Sequence, residues 1–161
     1  MDLRIRRLGR QEAHLAEPVV RAFKGASRAS DSLREFLANP ANYLLIAETG
    51  CEVCGFLMAY RLDRPDREES QMFVYEVSVG VPWRGRGVAT ALVEKITAMA
   101  RAERMFEAFV LTSQANERAK GLYARTGGVV EDDAAVLFVY PLDSGPPDSR
   151  RKGRRRARVG R

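Results

Sequence analysis

The stretch "QMFVYEVSVGVPWRGRGVATAL", residues 71–92, constrains the fold more than any other part of the chain. Its β-branched and aromatic residues from Gln71 to Val79 read as a strand. Gly80 and Pro82 stop that strand, and an Arg/Gly turn follows at Arg84–Gly87. From Val88 the residues favour helix: Val88, Leu92, Ile96 and Met99 recur on one face, with Arg86, Glu94, Arg101 and Glu103 available for the other. A helix opening directly after a glycine-bearing turn presents free N–H groups and about half a positive charge from its dipole. That is a ready site for a phosphate, and which phosphate carrier it serves decides the function. A P-loop needs Lys-Ser/Thr after its last glycine, and none follows here. A dinucleotide fingerprint needs a third glycine where Thr90 stands, and the N-terminus supplies no βαβ unit for it. The third reading is R-x-x-G-x-A over Arg84, Gly87 and Ala89; taken alone, a plain strand-to-helix turn explains it as well.

The rest of the chain alternates strand and helix signals. "LRIRRL" reads as a first strand, then "RQEAHLAEPVVRAF" and "SDSLREFLANP" as helices, the second with Ser30 or Asp31 as N-cap. "YLLIAE" and "CGFLMAYRL" form a hairpin around the Thr49–Gly50 turn, followed by the charged loop "DRPDREES". After the helix over residues 88–104 comes a strand, "FEAFVLT", and then a short helix, "NERAKGLYART". Asn116 caps that helix and Gly127–Gly128 stop it. "AAVLFVYPL" closes the domain as a last strand. The expectation is an α/β (mixed α+β) fold: a twisted mixed sheet of about six strands flanked by helices, spanning residues 1–142.

Charge matters only once it is located. The chain carries a formal net charge of +6, with 27 Lys/Arg against 21 Asp/Glu. From Asp143 to Arg161 there are 8 basic and 2 acidic residues, so residues 1–142 hold 19 of each and are neutral. The excess lies in an Arg-rich tail, residues 143–161, behind a Pro-Pro break; it reads as a disordered arm, through which alone nucleic acid would be contacted. No apolar run is long enough to span a bilayer and no signal peptide precedes the fold, so a soluble cytoplasmic protein is expected. Cys51 and Cys54 form a C-x-x-C, but His14 is the single histidine and no other cysteine exists, so no metal is expected. Two reduced thiols in a hairpin are the plainer account.

The turn at Arg84–Ala89 does not stand alone. "NERAKGLYARTGG" carries N-x-x-A-x-x-L-Y-x-x-x-G some thirty residues on, and in this order the two resemble the acetyl-CoA-binding and C-terminal motifs of the GNAT superfamily of N-acetyltransferases. The resemblance is specific over residues 72–128 and implies a sheet whose two central parallel strands splay apart to admit acetyl-CoA. Within the superfamily, "AYRLDRPDREESQMFVYEVSVGVPWRGRGVATALV" is similar to the aminoglycoside 3-N-acetyltransferases, whose stretch has the same Ala-Tyr start, charged loop, Tyr-acid pair and Arg-rich turn ending in "ATAL".

The resemblance implies roles for particular residues. The diphosphate of CoA rests on the backbone of Arg84, Gly85, Arg86, Gly87, Val88 and Ala89, with the Thr90 hydroxyl beside it. Val77, Ser78 and Val79 line the pantetheine arm, and the Val79 amide polarises the thioester carbonyl. Asn116 caps its helix and reaches the cofactor. Tyr123 is the general acid for the departing thiolate, although a core tyrosine would show the same i, i+3, i+4 spacing with Ala119 and Leu122. Glu76, after Tyr75, is the general base, although a buried glutamate paired with an arginine is the rival account. The aminoglycoside group usually has Asp at that place.

Acidic residues in two loops, Glu68 and Glu69 before the strand and Glu131, Asp132 and Asp133 before the last one, suit a cationic amine if they converge, and with Tyr75 they are the candidate substrate-binding residues. The expected reaction is acetyl transfer to the 3-amino group of an aminoglycoside. The alternatives are a polyamine or protein amine, or a CoA-binding domain without chemistry whose tail docks nucleic acid. Members of the superfamily often form homodimers, and nothing in the residues decides that here.

Overall fold

A computed structural model describes residues 2–24, 30–50 and 52–131. The described elements all belong to one compact unit, residues 1–130. In chain order they are β1 (Arg4–Arg7), α1 (Ala13–Lys24), α2 (Ser30–Ala38), β2 (Asn42–Thr49), β3 (Glu52–Leu62), β4 (Gln71–Val79), α3 (Val88–Ala102), β5 (Glu107–Val110) and α4 (Glu117–Arg125). The five strands form one mixed sheet in the order β1-β2-β3-β4-β5. The first four are antiparallel neighbours, while β4 and β5 run parallel with α3 as the crossover between them.

Alternation along β2 and β3 gives the sheet two apolar faces. Leu44, Ile46 and Phe56 meet Ala13, Ala16 and Val19 of α1 and Leu33 and Leu37 of α2. On the opposite face Tyr43, Leu45, Leu57 and Met72 meet Val88, Leu92, Val93, Ile96 and Ala100 of α3, with Leu122 of α4. Each large aliphatic side chain buried this way contributes about 1.5–3 kcal/mol. Tyr43 also ties β2 to the end of α3: its hydroxyl donates to Glu103 at 2.5 Å, and the Arg7 guanidinium lies 3.8 Å over its ring.

Three expectations are corrected. The helix expected from Arg10 opens as a 3-10 turn, Arg10–Glu12, and becomes α-helical at Ala13, with Pro18 inside it. The helix expected to reach residue 104 ends at Ala102, because Arg104 takes a positive φ of 56°. The strand expected over residues 106–112 is only Glu107–Val110, since β5 pairs with β4 over that length and no further. The last strand over 134–142, Cys51 and the tail lie outside the described residues.

Candidate active site

The site is built where β4 outruns β5. Register partners run from Gln71↔Glu107 to Val74↔Val110, after which β4 continues to Val79 with no described strand on that edge. The Gly80 N–H donates to the Cys54 carbonyl at 2.8 Å. Antiparallel alternation therefore turns the main-chain groups of Ser78 toward β3 and those of Val77 and Val79 toward the open edge. At Gly55 the two strands approach so closely that a Cβ would sit 2.6 Å from the Ser78 carbonyl oxygen.

A 3-10 turn, Val81–Trp83, carries the chain from that edge to α3. The Trp83 indole N–H donates to Glu52 at 3.2 Å, and Arg86 lies 5.5 Å over the indole. Arg84 Nε donates back to the Val79 carbonyl at 3.3 Å, tying the turn to the strand end. Gly85 (φ +73°) and Gly87 (φ +81°) both occupy left-handed backbone, with open space where a Cβ would stand. Gly87 is the N-cap of α3 and offers no side-chain acceptor, and the first turn holds no acidic residue. The first helical bond runs from the Ala91 N–H to the Gly87 carbonyl at 3.0 Å, so the amides of Val88, Ala89 and Thr90 have no partner within the helix. Bare first-turn amides with no carboxylate beside them fit a diphosphate.

Glu76 owes its position to a β-bulge that alternation alone misses. Met58 faces Glu76 and Ala59 faces Val74, which leaves Tyr75 as the extra residue of β4. Glu76 and Ser78 thus lie opposite Met58 and Phe56, on the α1/α2 face, while Val74, Val77 and Val79 face α3. The Ser78 hydroxyl donates to Glu76 Oε1 at 3.0 Å. A sequence signal for the bulge existed: α3-facing apolar residues step 72, 74, 77, 79, one residue longer than strict alternation allows.

Tyr123 comes from the other side. The Asn116 side chain accepts from the Ala119 N–H at 3.2 Å and so caps α4. At the far end the Gly128 N–H bonds the Tyr123 carbonyl and the Gly127 N–H bonds that of Ala124, a Schellman stop with Gly127 at φ +89°. Between these ends Tyr123 is half-buried on the α3 face. It lines a cavity of about 290 Å³ with Val74, Val93, Thr97 and Val110. Burial pushes its hydroxyl above the ordinary 10.0, and among the described residues that hydroxyl has no hydrogen-bond partner. Gly128 lines the same cavity, where a Cβ would stand 3.1 Å from the Tyr123 carbonyl oxygen. Glu76 and Tyr123 therefore belong to opposite faces of the sheet.

Tyr75 is 58% exposed, and Glu68, Glu69 and Glu131 are exposed; Asp132 and Asp133 lie outside the described residues. Cys54 is a free, fully buried thiol whose pKa burial raises. Among the described residues no cluster suits a metal ion, and no helix is long and apolar enough to cross a membrane.

Residues 12–128 match the model of the Acetyltransferase (GNAT) family, and the chain belongs to that family. An uncharacterized N-acetyltransferase of Mycobacterium tuberculosis is 29% identical over 108 residues, 67% of this chain and 66% of that protein, so the match leaves about a third of the relative's length uncovered. Two solved structures, both of aminoglycoside acetyltransferases from uncultured soil metagenomic samples, share the fold. One, in complex with sisomicin, has a TM-score of 0.81 at 21% identity, covering 88% of this chain and 97% of its own. The other has a TM-score of 0.80 at 28% identity, covering 89% of this chain and 100% of its own.

Proposed function

We propose that this chain transfers the acetyl group of acetyl-CoA directly to a primary amine of a small cationic substrate, the 3-amino group of an aminoglycoside being the first candidate. One observation carries the reading: the open main-chain edge of Val77 and Val79 leads through a glycine turn to the uncapped first turn of α3. Acetyl-CoA supplies the activated acyl group. The amides from Arg84 to Ala89 hold its diphosphate, with Arg84, Arg86 and the Thr90 hydroxyl at the phosphates. Val77, Ser78 and Val79 pair with the pantetheine arm as a strand would. The Val79 N–H donates to the thioester carbonyl, an oxyanion contact worth about 2.7–4 kcal/mol.

Glu76 takes one proton from the substrate ammonium, directly or through one water, so that the neutral amine attacks, and the Ser78 hydroxyl holds the carboxylate in place. The new N–C bond forms as the C–S bond breaks; Tyr123 gives its phenolic proton to the leaving thiolate, and the second proton, shed by the nitrogen as it becomes an amide, returns through water to the phenolate. A tyrosine whose hydroxyl burial pushes up holds that proton through neutral pH. Asn116 spends its side-chain oxygen on the α4 cap, which fixes the helix that carries Tyr123. No acyl-enzyme is needed, and Cys54 is buried in the core.

The aminoglycoside assignment rests on the likeness to the two soil enzymes and on the exposed carboxylates of Glu68 and Glu69. Assaying CoA release with gentamicin, spermine and a peptide amine tests it. Turnover with gentamicin supports the assignment, turnover with spermine or the peptide alone redirects it, and no turnover with any of them removes it.

A further inference from the structure

Beside Glu76, on the α1/α2 face of the sheet, five aromatic side chains form a continuous row, of which only Tyr75 is a substrate-binding candidate from the sequence. Phe73 of β4 stacks on its register partner Phe109 of β5 at 4.9 Å and 13°. Tyr75 stands edge-on to Phe73 at 5.9 Å and to Tyr60 of β3 at 5.8 Å. Phe36 of α2 stands edge-on to Tyr60 at 6.2 Å. None of the five is fully buried, and Tyr75 at the centre is 58% exposed. The cause is in the topology and the bulge. Among the described residues α2 packs chiefly on β2 and α1 on β3, with Phe23 of α1 reaching the end of β4 at Gly80, and the rings stand on this face of β4 and β5. The extra residue in β4 is Tyr75 itself, which sets its ring beside Tyr60 and Phe73 and puts Glu76 next along the chain.

The loop that joins β3 to β4 is rich in charge. The loop over residues 63–70 leaves β3 two residues after Tyr60 and enters β4 two residues before Phe73. Its neighbouring cations are engaged: Arg61 with Asp63, Arg64 with Asp66, and Arg67 at 4.1 Å over the Phe106 ring. Glu68 and Glu69 of the same loop have no ion pair or hydrogen bond among the described residues. The row thus crosses from α2 to β5 through Tyr75, the chain neighbour of Glu76, and β4, which carries its centre, begins where the loop bearing Glu68 and Glu69 ends. Ring faces attract ammonium groups and pack well against saturated carbon.

Building on the acetyl-transfer reading, we propose that the Phe36–Tyr60–Tyr75–Phe73–Phe109 row is the acceptor platform, seating a substrate with two or more ammonium groups on a saturated carbon frame. One amine is presented at Glu76 while another lies toward Glu68 and Glu69. Amino sugars and polyamines share this chemistry; a monoamine of the same reactive group lacks the second contact. The platform therefore selects by the number and spacing of cations rather than by the reacting amine.

Calorimetry on the full chain saturated with CoA tests this, titrating sisomicin, spermine and n-butylamine into wild type, Tyr75→Ala and Tyr75→Phe. At least one of the two polycations binds wild type far more tightly than butylamine, and which one identifies the source. Tyr75→Ala weakens that polycation about tenfold or more, Tyr75→Phe keeps it, and acetyl-CoA affinity is the same in all three. In steady state Tyr75→Ala raises KM for the polycation with little change in kcat, which a merely structural ring would not do. Unchanged polycation binding in Tyr75→Ala, with acetyl-CoA binding intact, overturns the platform and leaves acetyl transfer standing. A wild type that binds acetyl-CoA but prefers butylamine overturns it equally. A chain that fails to bind acetyl-CoA sinks the acetyl-transfer reading and the platform with it.

Discussion

Val74 of β4 and Val110 of β5 are the last register partners the two parallel strands share. Beyond them β4 runs on to Val79 while β5 has ended, and the polar main chain of Val77 and Val79 faces the gap. The Val79 carbonyl accepts from Arg84 Nε, and among the described residues no strand pairs with the other main-chain groups of this partly exposed edge, which suit an extended partner. Here the gap leads to a helix start without a side-chain cap, and the proposed acetyl-CoA site uses both features.

Glu76→Gln keeps the side-chain volume and leaves an amide oxygen for the Ser78 hydroxyl, so the fold is retained. It removes the proposed proton acceptor. Turnover in the CoA-release assay falls by about 10²-fold or more while acetyl-CoA affinity holds. Full activity in this variant rejects Glu76 as the base.

Tyr123→Phe preserves the ring packed against the α3 face and removes the proposed proton donor alone. Turnover again falls by about 10²-fold or more. Because burial pushes this hydroxyl above 10.0, the wild-type rate loses its tyrosine-dependent part only when pH rises past that value. A pH–rate profile shows this alkaline limb in wild type and lacks it in Tyr123→Phe. An identical limb in both assigns it elsewhere.

Gly87→Ala tests the turn. At φ +81° a Cβ meets no neighbour, so the cost is backbone strain, about 1–2 kcal/mol. Urea denaturation reads this loss of stability. Calorimetry reads weaker acetyl-CoA binding, because the amides after Gly87 no longer hold their aim. A variant that loses stability but keeps full affinity separates the turn from the diphosphate.

The sequence already carried most of this architecture, and where it failed the cause was tertiary. The α3 stripe of Val88, Leu92 and Ile96 is buried as periodicity requires, because a helix face is a local property. Asn116 and Gly127 cap and stop α4 as their residue types dictate. The bulge at Tyr75 depends on how β4 pairs with Ala59 and Met58, so only a broken alternation hinted at it. The aromatic row draws Phe36, Tyr60, Phe73 and Phe109 from four elements, and no local pattern joins residues so far apart. β5 stops at Val110 although Leu111 is a good strand residue, because its pairing with β4 ends at Val74, where the bulge at Tyr75 begins.

Tyr43 makes a pH prediction outside the site. Burial first, and then its bond to Glu103, push its hydroxyl up to about 12 from an ordinary 10.0. The folded state therefore favours the protonated phenol. Its stabilising contribution is whole below pH 10 and is lost as pH rises toward about 12. Thermal melts between pH 8 and about 12 show a steeper alkaline fall in wild type than in Tyr43→Phe. Parallel curves would mean that the hydroxyl titrates alike in both states.

Titration calorimetry with acetyl-CoA, compared with pantetheine, reaches the central claim most directly. If the Arg84–Thr90 amides and the open β4 edge share one ligand, the chain binds a single acetyl-CoA, while pantetheine, which lacks the diphosphate, binds far more weakly. Absence of acetyl-CoA binding by folded protein, or equal affinity for the two, would contradict the account.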